Sequence, residues 1–271
     1  MGKFDGILLC TDLDDTLLKT DKSVSQGNID AIEYFKKEGG LFAFTTGRVP
    51  LGTIPVLDYV TPNAPSVCFN GGAIYDFKSK KTLWSRSLDA EAVMAAEFVD
   101  KHFPTAGIEV CTPDTVYFCK RNRLTEEHKK NERFPDNSIA YKDIDESWCK
   151  VIFMVEEEEM PALSSLLGNS PFAEKYTFVR SSPWYYELLP KGSNKGDGLL
   201  RLGRLLGIDS SKIIAMGDNE NDYELIKNAG IGIAVANASP KIKDAARYIT
   251  VDNNSDAVKK VIEDIENGLI C

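Results

Sequence analysis

The sequence predicts an α/β fold in which a parallel-sheet core is interrupted by a second, α+β domain, and three observations predict it. Near both ends of the chain, short apolar runs that stop abruptly in polar or glycine-rich clusters alternate with amphipathic stretches. Between residues 84 and 189 that rhythm gives way to strand-like runs separated by tight turns. From residue 190 the first rhythm returns.

Taken in order, Phe4, Ile7, Leu8, Leu9 and Cys10 read as a short interior strand that ends in the acid run Asp12-Leu13-Asp14-Asp15. Residues 25–37 carry Ile29, Ile32 and Phe35 at helical spacing, and Gly39-Gly40 stops them. Leu41–Phe44 is a second strand, closing on Thr45-Thr46-Gly47-Arg48, and 66–69 a third, closing on Asn70-Gly71-Gly72. Strand, helix, strand in this order implies right-handed crossovers in a mostly parallel sheet. In the middle segment the pattern gives a helix over 89–103, strands over 108–111, 116–120, 151–155, 176–179 and 185–189, and a helix over 160–167. These fit one antiparallel sheet with helices on one face. The returning rhythm gives a helix over 195–206, a strand over 213–216, a helix over 222–228 and a strand over 231–235. Val258, Val261, Ile262 and Ile265 then mark a covering helix over 255–267. The expected organisation is a discontinuous core, 1–83 and 190–271, around an inserted domain, 84–189.

Composition narrows the partners. With 271 residues and 43% hydrophobic content the chain can bury a packed core, and its formal net charge of -9 argues against nucleic acid as a partner. No apolar run approaches the ~20 residues of a membrane span, and no charged leader precedes an apolar stretch, so no membrane partner and a cytoplasmic location are expected. The six cysteines show no C-x-x-C spacing, which suits reduced, mostly buried thiols rather than zinc ligands or disulfides.

Four stretches collect the reactive residue types, each at a strand end or helix start. Carboxylates crowded at Asp12 and Asp14 raise one another's pKa unless a cation neutralises them, and Mg2+ prefers hard oxygen ligands. Phosphoryl transfer needs an in-line nucleophile, a proton carrier for the leaving oxygen and positive charge around the equatorial oxygens. Asp12 and Asp14 divide the first two roles. Thr46 and Gly47 offer a hydroxyl and an open backbone N–H to a phosphate oxygen. In Lys191-Gly192-Ser193-Asn194-Lys195-Gly196, Lys195 is placed to neutralise phosphate and acid charge. In Gly217-Asp218-Asn219-Glu220-Asn221-Asp222, Asp218 supplies a second carboxylate to the metal, Asp222 a further ligand directly or through water, and Asn221 a donor to the phosphate.

These stretches, DLDDTLL, TTGR, KGSNKG and GDNENDYEL in that order with an inserted domain between the second and third, resemble the haloacid dehalogenase superfamily of phosphohydrolases, in its Cof-type branch with a class IIB cap. The resemblance implies a Rossmann-like parallel-sheet core and an α/β cap. It implies Asp12 as aspartyl-phosphate nucleophile, Asp14 as acid/base and as a backbone-carbonyl ligand of Mg2+, and Asp218 as a side-chain ligand, with Thr46, Gly47, Lys195 and Asn221 around the phosphate. Asp15 stands where the family more often has glycine, and aspartate tolerates the positive φ such a position asks for.

The expected activity is therefore Mg2+-dependent hydrolysis of small phosphorylated metabolites, sugar phosphates first, then pyridoxal phosphate, flavin mononucleotide or nucleotides. The alternatives are a phosphosugar mutase of the same superfamily and a non-catalytic regulator that binds a phosphometabolite. A monomer or weak homodimer is expected. Candidate specificity residues in the cap are Tyr117, Lys120, Arg121, Arg123, Trp184 and Tyr185, whereas His102 and His128 are expected to face solvent.

Overall fold

The structure, a computed structural model, describes residues 2–270. The chain divides into two compact units: residues 1–47, 56–84 and 194–271 form the first, and residues 48–55 and 85–193 the second. The limits after 84 and 193 lie one and four residues from those expected, and 48–55, expected in the core, groups with the second unit.

In chain order, the elements begin with β1 (Leu8–Thr11), α1 (Gln26–Lys37), β2 (Leu41–Phe44), α2 (Pro50–Leu57), β3 (Ser66–Cys68), β4 (Ala73–Asp76) and β5 (Lys81–Ser85). There follow α3 (Ala92–His102), β6 (Gly107–Cys111), β7 (Val116–Lys120), α4 (Arg123–Asn131), β8 (Lys150–Met154), α5 (Met160–Gly168), β9 (Tyr176–Arg180) and β10 (Tyr185–Pro190). The chain closes with α6 (Lys195–Leu206), β11 (Ile213–Gly217), α7 (Tyr223–Asn228), β12 (Ile231–Ala234), α8 (Pro240–Ala245), β13 (Tyr248–Ile249) and α9 (Ala257–Glu266).

The first unit is built on a parallel sheet ordered β13-β12-β11-β1-β2. Leu8, Cys10, Ala43, Ile213 and Ala215 pack with Leu199 and Leu202 of α6 and Leu225 of α7. Strands buried on both faces read as continuous apolar runs, which is why Leu8–Thr11 and Ile213–Gly217 are buried throughout. The chain leaves β1 for β2 on one side and returns as β11 on the other, so β1 sits where the strand order reverses, the place open α/β sheets bind ligands. Thr11 is level with Phe44 on one side and Met216 on the other, so Asp12, Thr45 and Gly217 leave the sheet side by side. β3 departs from expectation: one parallel bridge, Thr45 to Val67, links it to the β2 exit, and it otherwise pairs antiparallel with β4 in a three-stranded sheet, β3-β4-β5, that the sequence reading lacks.

The second unit is an antiparallel sheet ordered β7-β6-β8-β10-β9. Ala92, Ala95, Ala96 and Val99 of α3 and Met160, Leu163 and Leu167 of α5 cover Ile108, Val110, Val151 and Phe153 on one face. Helices on one face alone is corrected by α4, whose His128 bonds Glu109, a residue that alternates away from Ile108 and Val110. His128 is therefore not solvent-facing as expected: its side chain is 15% exposed, with Nδ1 2.8 Å from Glu109 Oε2. His102 is exposed. Among the described residues the free cysteines are Cys10, Cys68, Cys111, Cys119 and Cys149, and Cys271 lies outside them. Burial pushes the Cys119 thiol up to about 12 and the Cys149 thiol up to about 11, so both stay protonated at neutral pH.

Candidate active site

The acid run after β1 does not continue as regular helix. Leu13–Leu17 is one wide turn closed by Leu17 N to Asp12 O at 3.3 Å and Leu18 N to Leu13 O at 2.8 Å. Within it Asp14 is extended (φ -68, ψ 126) and Asp15 left-handed (φ 56, ψ 13). Asp15 therefore occupies a position of the kind where glycine is ordinarily favoured, and its side chain points to solvent. The backbone N–H of Asp12 donates to Met216 O at 3.0 Å, which fixes the β1 exit against β11.

Three carboxylates meet at the two exits. Asp12, Asp218 and Asp222 each offer one oxygen, all within 4.8 Å of one another. Lys195, at the start of α6 and 1% exposed, reaches into them: Nζ lies 2.7 Å from Asp12 Oδ1 and 2.5 Å from Asp222 Oδ1. Asp222 Oδ2 accepts the backbone N–H groups of Asp218 and Asn219 at 3.0 and 3.1 Å, so its second oxygen shapes the loop after β11. Gly217 makes that fold-back possible, because a β-carbon there would press on Asp222 Cβ at 2.6 Å. Thr16 Oγ1 donates to Asp218 Oδ1 at 2.9 Å and ties the first exit to the second.

The electrostatics follow from three acids around one ammonium. Burial, with Asp222 adding, raises the Asp12 carboxyl well above the usual carboxylate range, against the pull of Lys195. Burial and Asp222 likewise raise Asp218 to about 7, although Thr16 and Lys195 pull it down. Burial penalises the Lys195 ammonium, but Asp12 and Asp222 outweigh it and hold the proton on. A hard-oxygen donor set with more negative charge than one lysine neutralises is what a divalent cation such as Mg2+ fits.

Asp14 is not drawn into this cluster. Its carboxylate pairs with Lys22 Nζ at 3.1 Å in an exposed setting, because the extended backbone at Asp14 turns the side chain away. Thr46 is buried at the β2 exit, its N–H donating to Val67 O at 2.9 Å and its carbonyl accepting from Asn70 N at 3.1 Å. Gly47 passes so close to Asn70 that a β-carbon would meet its Oδ1 at 2.9 Å. Asn221 Nδ2 donates to Asn70 Oδ1 at 3.1 Å, joining the β11 loop to the β3 exit. Asn70 and Thr16 join the site beyond the residues its motifs predict; their signals in the sequence are Asn-Gly-Gly after a strand and a hydroxyl inside the acid run. Gly71 (φ 93) lets that exit approach the Asn194 carbonyl at the cap of α6, which carries Lys195.

In the second unit the cap candidates are mostly committed to neighbours. Lys120 pairs with Asp100, Arg121 with Glu126 and Asp136, Arg123 with Glu127 and Glu156, and Tyr117 Oη donates to Glu146. The Tyr185 ring lies 5.1 Å from the His128 ring, and Trp184 is 40% exposed.

A parallel sheet with acids converging at its strand-order reversal, interrupted by an antiparallel cap unit, defines a hydrolase of the capped α/β kind. The chain belongs to the haloacid dehalogenase-like hydrolases, whose family model matches residues 9–262, and it is an enzyme of their phosphatase class. A 5-amino-6-(5-phospho-D-ribitylamino)uracil phosphatase of Bacillus subtilis is 27% identical over 263 residues, covering 95% of this chain and 96% of that protein. The crystal structure of a haloacid dehalogenase-like hydrolase from Bacteroides thetaiotaomicron matches with TM-score 0.83 at 26% identity, covering 96% of this chain and 99% of that one. A subclass IIB sugar phosphatase shares the fold, with TM-score 0.81 at 19% identity over 96% of this chain and 98% of that one. Among the described residues no helix is long and apolar enough to cross a membrane.

Proposed function

We propose that the enzyme hydrolyses small phosphorylated metabolites with Mg2+ through an aspartyl phosphate on Asp12. The observation that carries this reading is the convergence of Lys195 on Asp12 Oδ1 at 2.7 Å beside Asp218, at level strand ends. Asp12, Asp218 and Asp222 by their carboxylates, with Asp14 by its carbonyl, would hold the metal, and Asp222 also holds Lys195 and the 218–219 backbone. When bound there, a divalent cation would offset charge on the phosphate and keep Asp12 ionised.

Asp12 Oδ attacks phosphorus while the substrate's alkoxide leaves and takes a proton from Asp14, whose carboxyl turns from Lys22 towards the leaving oxygen and picks up that proton from solvent when substrate binds. Asp14, now ionised, takes a proton from water, whose oxygen attacks the same phosphorus and releases phosphate from Asp12. Lys195, Thr46, Gly47 and Asn221 hold the phosphate oxygens. Sugar and polyol phosphates lead as substrates, supported by two relatives whose names give a ribityl phosphate and a sugar phosphate as what they act on. A cytoplasmic location and a monomer or weak homodimer accompany this reading.

The test is phosphate release from a panel of sugar, polyol, pyridoxal and nucleoside monophosphates with Mg2+, alongside Asp12→Asn. Turnover in that variant equal to wild type would sink the nucleophile assignment. An isomeric sugar phosphate in place of free phosphate would turn the reading to a mutase.

A further inference from the structure

The wide turn that carries Asp12 and Asp14 is held from outside itself. Its own closing bonds, Leu17 to Asp12 at 3.3 Å and Leu18 to Leu13 at 2.8 Å, bracket the left-handed Asp15, whose carbonyl is gripped by a second segment. Asn237, on the loop after β12, donates Nδ2 to that Asp15 carbonyl at 2.8 Å. Asn253, in the segment between β13 and α9, donates Nδ2 to the carbonyl of Leu18 at 3.0 Å. The two are joined, since the backbone N–H of Asn253 donates to Asn237 Oδ1 at 3.0 Å. Both amides have one orientation compatible with this network: each NH2 faces a carbonyl, while Asn237 Oδ1 accepts the Asn253 backbone N–H and Asn253 Oδ1 accepts from Asn254 Nδ2.

We infer that Asn237 and Asn253 form a clamp that positions the nucleophile and the acid/base, with Asn237 as the principal positioning residue. The inference rests on the roles proposed above for Asp12 and Asp14. Asn237 grips the carbonyl next to Asp14 in the chain, and Asn253 grips the end of the same turn, so together they fix the segment from which both carboxylates project. Neither asparagine belongs to the carboxylate group, so the effect passes through the backbone. Asn237 is exposed whereas Asn253 is buried, and this separates catalytic placement from folding. The Asp15 carbonyl takes water when Asn237 is truncated, so folding loses little, but the turn loses its fixed position. Small displacements of reacting groups cost up to about a hundredfold in rate.

The experiment compares Asn237→Ala, Asn237→Asp and Asp12→Asn in full-length protein, with an aryl phosphate and saturating Mg2+, reading kcat, KM and Tm. Asn237→Ala is expected to lower kcat ~10-fold or more with KM within ~2-fold and Tm nearly unchanged. Asn237→Asp keeps the size but sets a carboxylate against a carbonyl oxygen, and its kcat is expected to fall at least as far. Wild-type kcat in both Asn237 variants, with Asp12→Asn inactive, overturns the clamp and leaves the nucleophile reading intact. A fall in kcat that merely follows a lost Tm overturns it as well. Wild-type turnover in Asp12→Asn removes the reading beneath it.

Discussion

Lys195 Nζ lies 2.7 Å from Asp12 Oδ1, although the two residues are 183 positions apart, and both side chains are almost wholly buried, at 1% and 8% exposed. Buried pairs of this kind are weak evidence for stability, but removing the one lysine leaves Asp12 and Asp222 crowded with no counter-charge. Lys195→Met should therefore lower turnover by ~100-fold or more and destabilise the metal-free protein by ~3 kcal/mol. Steady-state kinetics and denaturant unfolding without metal check both halves.

Asp12→Asn removes one of three crowded acids while keeping the shape. Turnover of an aryl phosphate should drop at least ~1000-fold, as for other covalent nucleophiles, with Tm equal to or above that of wild type. Burial and Asp222 already oppose the Asp12 charge, so neutralising it relieves the fold.

Mg2+ should raise Tm, since it binds the folded acid cluster and not the unfolded chain; at a hundred times Kd the gain is about 2.7 kcal/mol. Asp218→Asn should weaken that binding ~10- to 100-fold. Titration calorimetry reads the affinity, and an equal Tm rise in wild type and variant would remove Asp218 from the ligand set.

Gly71→Ala tests how the strand exit is packed. At φ 93, with its β-carbon driven onto the Asn194 carbonyl oxygen, alanine should cost ~2 kcal/mol or more and displace the start of α6. Urea unfolding gives the first number, and loss of turnover beyond the fraction unfolded gives the second.

His128 gives the second unit a pH dependence. Burial opposes its charge, but Glu109 at 2.8 Å, aided by Glu132, raises its pKa above the ordinary 6.5, while Lys150 pulls the other way. A raised folded-state pKa means the stabilisation is fully present below about pH 6.5 and is lost as pH rises through the folded value. Unfolding midpoints across pH 5 to 9 should fall over that window, and His128→Gln should flatten the fall.

Much of the first unit was legible because parallel strands buried on both faces leave long apolar runs, and acids or glycines punctuate their ends. Leu8–Thr11, Leu41–Phe44 and Ile213–Gly217 stand where such runs predict. Short edge pieces were not legible. β5 alternates exposed and half-buried residues, and Tyr248–Ile249 is too brief to carry a period. His128 misled because charged neighbours on α4 suggest a solvated face, whereas its partner Glu109 lies 19 residues away on β6, against which α4 packs.

The sequence by itself determined which residue types stand at the strand ends, and hence the class of chemistry: carboxylates, a hydroxyl, a lysine and an asparagine follow apolar runs in a fixed order. Tertiary structure decided which of them meet. Level strand register joined Asp12 to Asp218 and Asp222 around Lys195, whereas the extended backbone at Asp14 sent its carboxylate to Lys22. It also recruited Asn70, Thr16, Asn237 and Asn253, whose partners are reached through hydrogen bonds that no local pattern encodes. Local propensity acts over a few residues, but a site is assembled by packing between segments far apart in the chain.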